Sequence, residues 1–168
     1  MLGRFGAVWG ISGVAVLLCY SISRLSQVSL AALEYELFWY HWMALALNIS
    51  YMAYAEGYRG FQKGFSPRVV ARAKYLHEHP RGLYVLLAPF FCMGYFCIHR
   101  NRQIFTFILT VMVLLFVILL PYLAQPWRGI VDAGVVVGLG WGLLSLLFFV
   151  HQAVTSDRFA HSPEVPNS

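Results

Sequence analysis

Long apolar runs separated by short polar breaks occupy most of this chain. The first extends from Phe5 to Ile22 behind Arg4, and the second from Leu37 to Tyr54. The second opens on Phe38, Trp39, Tyr40 and Trp42, an aromatic cluster of the kind that sits at lipid headgroup level. A helix that crosses a bilayer needs about 20 apolar residues. The pattern therefore predicts an all-α integral membrane protein with five transmembrane helices, at 5–22, 37–54, 83–98, 104–124 and 129–152. The third run is the shortest and contains Pro89, with Arg81 and Arg100 at its ends. A re-entrant hairpin that enters and leaves on one side is the alternative for it. Phe5–Ile22 ends near Ser21-Ile22-Ser23, which loosely resembles a signal-peptide cleavage site, but the run is long for a signal peptide and a retained span is expected.

The polar breaks carry their own pattern. Residues 23–36 read as a short amphipathic connection holding Arg24, Glu34 and Glu36. Residues 55–82 read as a basic loop with Arg59, Lys63, Arg68, Arg72, Lys74 and Arg81. Within it, Ser66-Pro67 looks like a helix start and Pro80 with Gly82 like a stop. Val69, Val70, Ala73 and Leu76 fall on one side of the intervening helix, flanked by Arg68, Arg72 and Lys74. That arrangement predicts a short interfacial amphipathic helix with cations toward anionic headgroups, or else a solvated helix packed on the spans. Residues 153–168 are polar, contain two prolines and read as a disordered tail.

Composition agrees with a membrane domain and leaves no room for a separate soluble one. Hydrophobic residues make up 60% of the 168 and charged residues 11%, against roughly a quarter charged in soluble domains. The formal charge of +5 lies in the breaks beside apolar runs, so it implies a bilayer with anionic headgroups, not nucleic acid. With five spans and the N-terminus inside, Arg4, the basic loop and Arg128 face inward, against Arg24, Arg100, Arg102 and Arg158 outside. The positive-inside rule thus favours an inner N-terminus, in a membrane expected to be the bacterial cytoplasmic one. A re-entrant third segment would move Arg100, Arg102 and the C-terminus inside. Cys19, Cys92 and Cys97 form neither a CxxC pair nor a zinc spacing and read as small apolar residues.

Four features carry candidate chemistry. Glu34, His41 and Asn48 are seven apart, and Glu56 follows, so a polar face on the second span is expected to hydrogen-bond between helices or to line a proton, ion or cofactor path. Arg59, Lys63, Arg68, Arg72 and Lys74 are candidate contacts for lipid or a partner, and the glycine-rich stretch Tyr54–Lys63 is the most chemically varied. Gly134, Gly138 and Gly142 repeat every four residues, and Gly6, Gly10 and Gly13 line one side of the first span, predicting close helix packing within the chain or onto a partner. His41, His99 and His151 fall near one surface in the five-span arrangement and are the candidates for a metal or haem, although their spacing matches no metal motif. His77 and His79 read as the end of the loop helix, and Asp132 as an ordinary carboxylate in the first turn of the fifth.

No nucleotide, hydrolase or metalloprotease motif is present. The expectation is a non-catalytic subunit or assembly factor of a membrane complex, associating with other membrane subunits or with itself. A small transporter or channel using the second span, and a redox or haem protein using the histidines, are the alternatives.

Overall fold

The second apolar run does not stop at Tyr54. In the computed structural model, which describes residues 1–79 and 82–155, one helical rod continues from Trp39 to Glu78. It comprises α2 (Trp39–Met52), a π-helical stretch (Ala53–Phe65) and α3 (Ser66–Glu78). Ala53 and Ser66 keep right-handed helical angles, so the rod is unbroken at both joints. The basic loop expected over 55–82 is therefore helical as far as Glu78. Pro67 has no N–H to donate to Lys63, and its ring crowds that carbonyl. Upstream, Gly57, Gly60 and Gly64 weaken the α-helical preference. Together they account for the wider i→i+5 winding, seen where the Ser66 amide donates to the Phe61 carbonyl.

The other elements are α1 (Leu2–Ala31) with a 3₁₀ turn (Ala32–Glu34), the short helices α4 (Gly82–Leu86) and α5 (Ala88–Met93), α6 (Arg100–Leu119) with a 3₁₀ turn (Leu120–Tyr122), and α7 (Trp127–Thr155). No strand occurs among the described residues. Three helical segments, Leu2–Glu34, Arg100–Tyr122 and Trp127–Thr155, are long and apolar enough to cross a membrane. The amphipathic connection expected over 23–36 is mostly the continuation of α1, and α7 reaches Thr155, inside the tail predicted as disordered. The remainder of that tail lies outside the described residues.

The long rod and α7 run in the same direction, with Asn48 beside Gly134, Phe61 beside Gly142 and Ser66 beside Ser145. α1 runs against both. Its Ala32 meets Gly129 at one end, and its Gly3 meets the His77 carbonyl at the other. The third apolar run is broken. α4 and α5 climb along α1, Val85 against Gly6, Ala88 and Cys92 against Gly10, and Pro89 against Gly13. Gly94 then turns at φ 88°, and the chain returns until the Cys97 thiol meets the Tyr84 hydroxyl at 3.1 Å. This segment enters and leaves at the same end of the bundle.

Arg72 holds that hairpin. Its Nε donates to the Phe91 carbonyl at 2.6 Å and Nη2 to the Phe96 carbonyl at 2.7 Å. Both Nη atoms approach the Cys97 carbonyl at 3.3 Å, and the guanidinium lies 4.3 Å from the Phe91 ring centre. Arg72 is 1% exposed, so it is not the headgroup-facing cation expected from its place in the sequence. The interfacial helix is corrected with it: Val69, Val70, Ala71, Ala73 and Leu76 of α3 are all buried. Alanines on both sides of Arg72 are too small to hold neighbouring elements away, and the charge is met by carbonyls at the end of α5 and the turn that follows, the position where a helix leaves acceptors unpaired.

Replacing Arg72 by Met is expected to cost about 3 kcal/mol, because it removes charged hydrogen bonds to three carbonyls. Arg72→Lys should recover only part of that, since one ammonium cannot fork to carbonyls at several angles. Equilibrium unfolding in mixed micelles measures both; an Arg72→Met protein as stable as the parent would contradict the clamp.

Candidate functional site

The seam between the long rod and α7 is built from residues small enough to let two backbones approach. A side chain at Gly134 would strike Asn48, one at Gly138 would meet Glu56 Oε2 at 2.9 Å, and one at Gly142 would meet the Phe61 ring at 2.6 Å. Further along, Ser66 and Ser145 share a hydrogen bond of 2.6 Å. Glu56, Phe61 and Ser66 are five residues apart. On an α-helix that spacing rotates a residue about 140° away from its predecessor, whereas i→i+5 winding brings each back to the same face. The π-helical stretch is what keeps the rod in register with α7.

Of the four polar residues expected on one face, three lie on the rod. Glu34 belongs to the 3₁₀ turn before it and is exposed, separated from α2 by the extended residues leading to Phe38. Its seven-residue spacing to His41 is therefore not a helical spacing. His41 is buried, accepts a hydrogen bond from the Phe38 amide at Nδ1 (3.1 Å) and meets the Trp127 ring edge-on at 5.1 Å. Asn48 donates to the Ile130 carbonyl at 2.8 Å and to that of Val131 at 3.4 Å. Glu56 is half-buried against Gly138. His41 and Asn48 are thus engaged in starting α2 and joining it to α7.

The candidate histidines are not brought together. His41 sits beside Trp127 where α7 begins, His151 lies near the other end of α7, and His99 precedes α6. No group of three metal-ligating side chains exists among the described residues. The glycines of α1 receive α3, α4 and α5 of the same chain. Among the cations, Arg68 donates to the Gly64 carbonyl at 2.6 Å, and Lys63 lies 4.5 Å from the Tyr58 ring centre. Arg59 and Lys63 are exposed, and Lys74 is half-buried.

Asp132 differs from its reading as an ordinary first-turn carboxylate. It is 1% exposed, neither oxygen has a hydrogen-bond partner, and the Arg128 Nε lies 3.9 Å away without bonding it. Helix position alone does not reveal this, because burial depends on the elements packed on this end of α7, where Ala32 meets Gly129 and Asn48 bonds the Ile130 carbonyl. The fold and its seam define an all-helical protein with three membrane-length helices. No protein-family model matches the chain, and neither a curated protein nor a solved structure shows significant similarity to it.

Removing Arg128 would leave Asp132 as an uncompensated buried charge. Arg128→Gln is therefore expected to destabilise by about 3 kcal/mol, and the Arg128→Gln/Asp132→Asn double variant to regain most of it. A double-mutant cycle from unfolding curves tests the pair, and additive effects would refute the coupling.

Proposed function

We propose that this chain is a multi-pass membrane protein that serves as a non-catalytic subunit or assembly factor of a larger membrane complex. The observation that carries the reading is α6. It is 20 residues long and, after its polar first turn, apolar from Ile104 onward save for Thr106 and Thr110, and none of its residues is buried. It leans on the rest through Tyr95, whose hydroxyl bonds Thr110 at 2.8 Å and whose carbonyl accepts from Gln103 at 2.9 Å. A helix so lightly held within its own chain is suited to packing against another membrane protein. The transporter alternative loses support because His41 and Asn48 are engaged in local and interhelical bonds.

In this reading the chain crosses the bilayer four times, with α1, the long rod, α6 and α7, while α4–α5 forms a re-entrant hairpin. That replaces the five-span expectation with its alternative, and both termini share one side. Arg4, Lys74, Arg100 and Arg102 then gather at the inner end, whereas the outer end has Arg24 and Arg128 with Glu34 and Glu36, a distribution the positive-inside rule supports.

Two measurements test this. Tags at the two termini should be accessible from the same face of oriented vesicles, and a tag inserted at Asn101 from that face too; opposite termini would restore the five-span arrangement. Purification in mild detergent should retain a membrane protein at fixed stoichiometry through two chromatographic steps, whereas a clean monomer would count against the subunit reading.

A further inference from the structure

The π-helical stretch carries exposed cations at an unusual height. Gly57 lies against Trp141 and Phe61 against Gly142, and Trp141 Nε1 donates to Gln62 Oε1 at 2.8 Å. Trp141 is nine residues from Asp132 and ten from His151, the polar residues that bound the apolar stretch of α7. At 1.5 Å per residue that is about 14 Å either way, close to half of the roughly 30 Å hydrocarbon core. If α7 crosses the bilayer, Arg59 is therefore near mid-depth, with Lys63 about one turn closer to the inner surface. Both side chains are exposed on the bundle.

A cation at that depth is costly against lipid tails and is found facing protein, water or an opposite charge. Among the described residues the carboxylate nearest that depth is Glu56. Glu56, although three residues before Arg59, lies against Gly138 and forms no ion pair with it. Glu34, Glu36 and Glu78 are at the ends of the rod, and Asp132 is buried beside Arg128. Lys63 is met by the Tyr58 ring alone among the described residues, and Arg59 by no partner. A second copy would present the same cations, and its mid-depth carboxylate, Glu56, lies half-buried against Gly138 of its own seam.

We propose that Tyr58, Arg59, Gln62 and Lys63 form an intramembrane docking face for the transmembrane helix of a different protein, one that carries a carboxylate at mid-depth. The proposal rests on the membrane reading and deepens it by stating the chemistry of the partner. Arg59 supplies a planar fork that matches a carboxylate, Lys63 a second charge near the inner end, and exposed Gly60 leaves room for close backbone approach.

The test uses the full chain in neutral phosphatidylcholine vesicles at pH 8, with synthetic Leu/Ala transmembrane peptides carrying one central Glu or, as control, Gln. Energy transfer should report at least tenfold tighter association of the Glu peptide, and an Arg59→Leu/Lys63→Leu variant should lose that preference. Equal binding of the two peptides, or a preference that persists in the double variant, would overturn the proposal. Arg59→Cys and Leu144→Cys, probed with a membrane-impermeant maleimide above the parent's own labelling, separate the two levels. Labelling at both would sink the membrane reading itself. Labelling at position 59 alone would mean a water-filled crevice and would refute the docking face. Protection at both is the result expected.

Discussion

Gly134, Gly138 and Gly142 strip one face of α7 of side chains, and the long rod lies against that face close enough for Asn48, Glu56 and Phe61 to occupy the space. Between helices that both avoid water, such close approach is the main source of attraction, because lipid tails offer little hydrophobic drive to bring them together. The π-helical winding of Ala53–Phe65 is tied to the same contact. The five-residue steps Glu56–Phe61 and Phe61–Ser66 meet a four-residue and a three-residue step on α7, Gly138–Gly142 and Gly142–Ser145, and a continued α-helix would carry Phe61 and Ser66 off the seam. The Asn48 amide at one end and the Ser66–Ser145 pair at the other anchor the seam with hydrogen bonds.

Once the rod is held, α3 is carried into the bundle, and Arg72 goes with it. A buried guanidinium needs acceptors, and the broken α4–α5 segment supplies them at the carbonyls of Phe91, Phe96 and Cys97. Each side of this arrangement meets a need of the other. The Phe96 and Cys97 carbonyls would lose their guanidinium donor without Arg72, and Arg72 would be an unpaired buried charge without the hairpin. The glycines of α1 complete it by letting Val85, Ala88, Pro89 and Cys92 lie directly on that helix.

The same winding that packs one side of the rod leaves Arg59 and Lys63 exposed, with Gln62 at the edge of the seam bonded to Trp141. This stretch lies at the mid-height of α7 with exposed cations, and α6 has no buried residue. Both features face outward from the bundle.

Apolar run length and low charge determine from the sequence alone that this chain is helical and has helices of membrane length, because those properties are sums over many residues and do not depend on contacts. The glycine spacing on α7 and the weakness of the third run around Pro89 are legible for the same reason: close packing and helix breaking are local requirements. Contacts decide the rest. Residues 55–78 read as a loop with a separate helix because their charges suggest water, yet α1, α5 and α7 cover one side and keep the segment helical. Arg72 and Lys74 look alike in sequence, and only the position of the α5 carbonyls makes Arg72 a core residue. By spacing Glu34 continues the face of His41 and Asn48, and the extended residues leading to Phe38 break that periodicity. Asp132 has an ordinary position in its helix, and its burial is set by the elements that pack on that end of α7. The identity of each polar side chain is in the sequence, but what meets it is set by elements distant along the chain, and that meeting determines whether a charge serves packing or remains available to a partner.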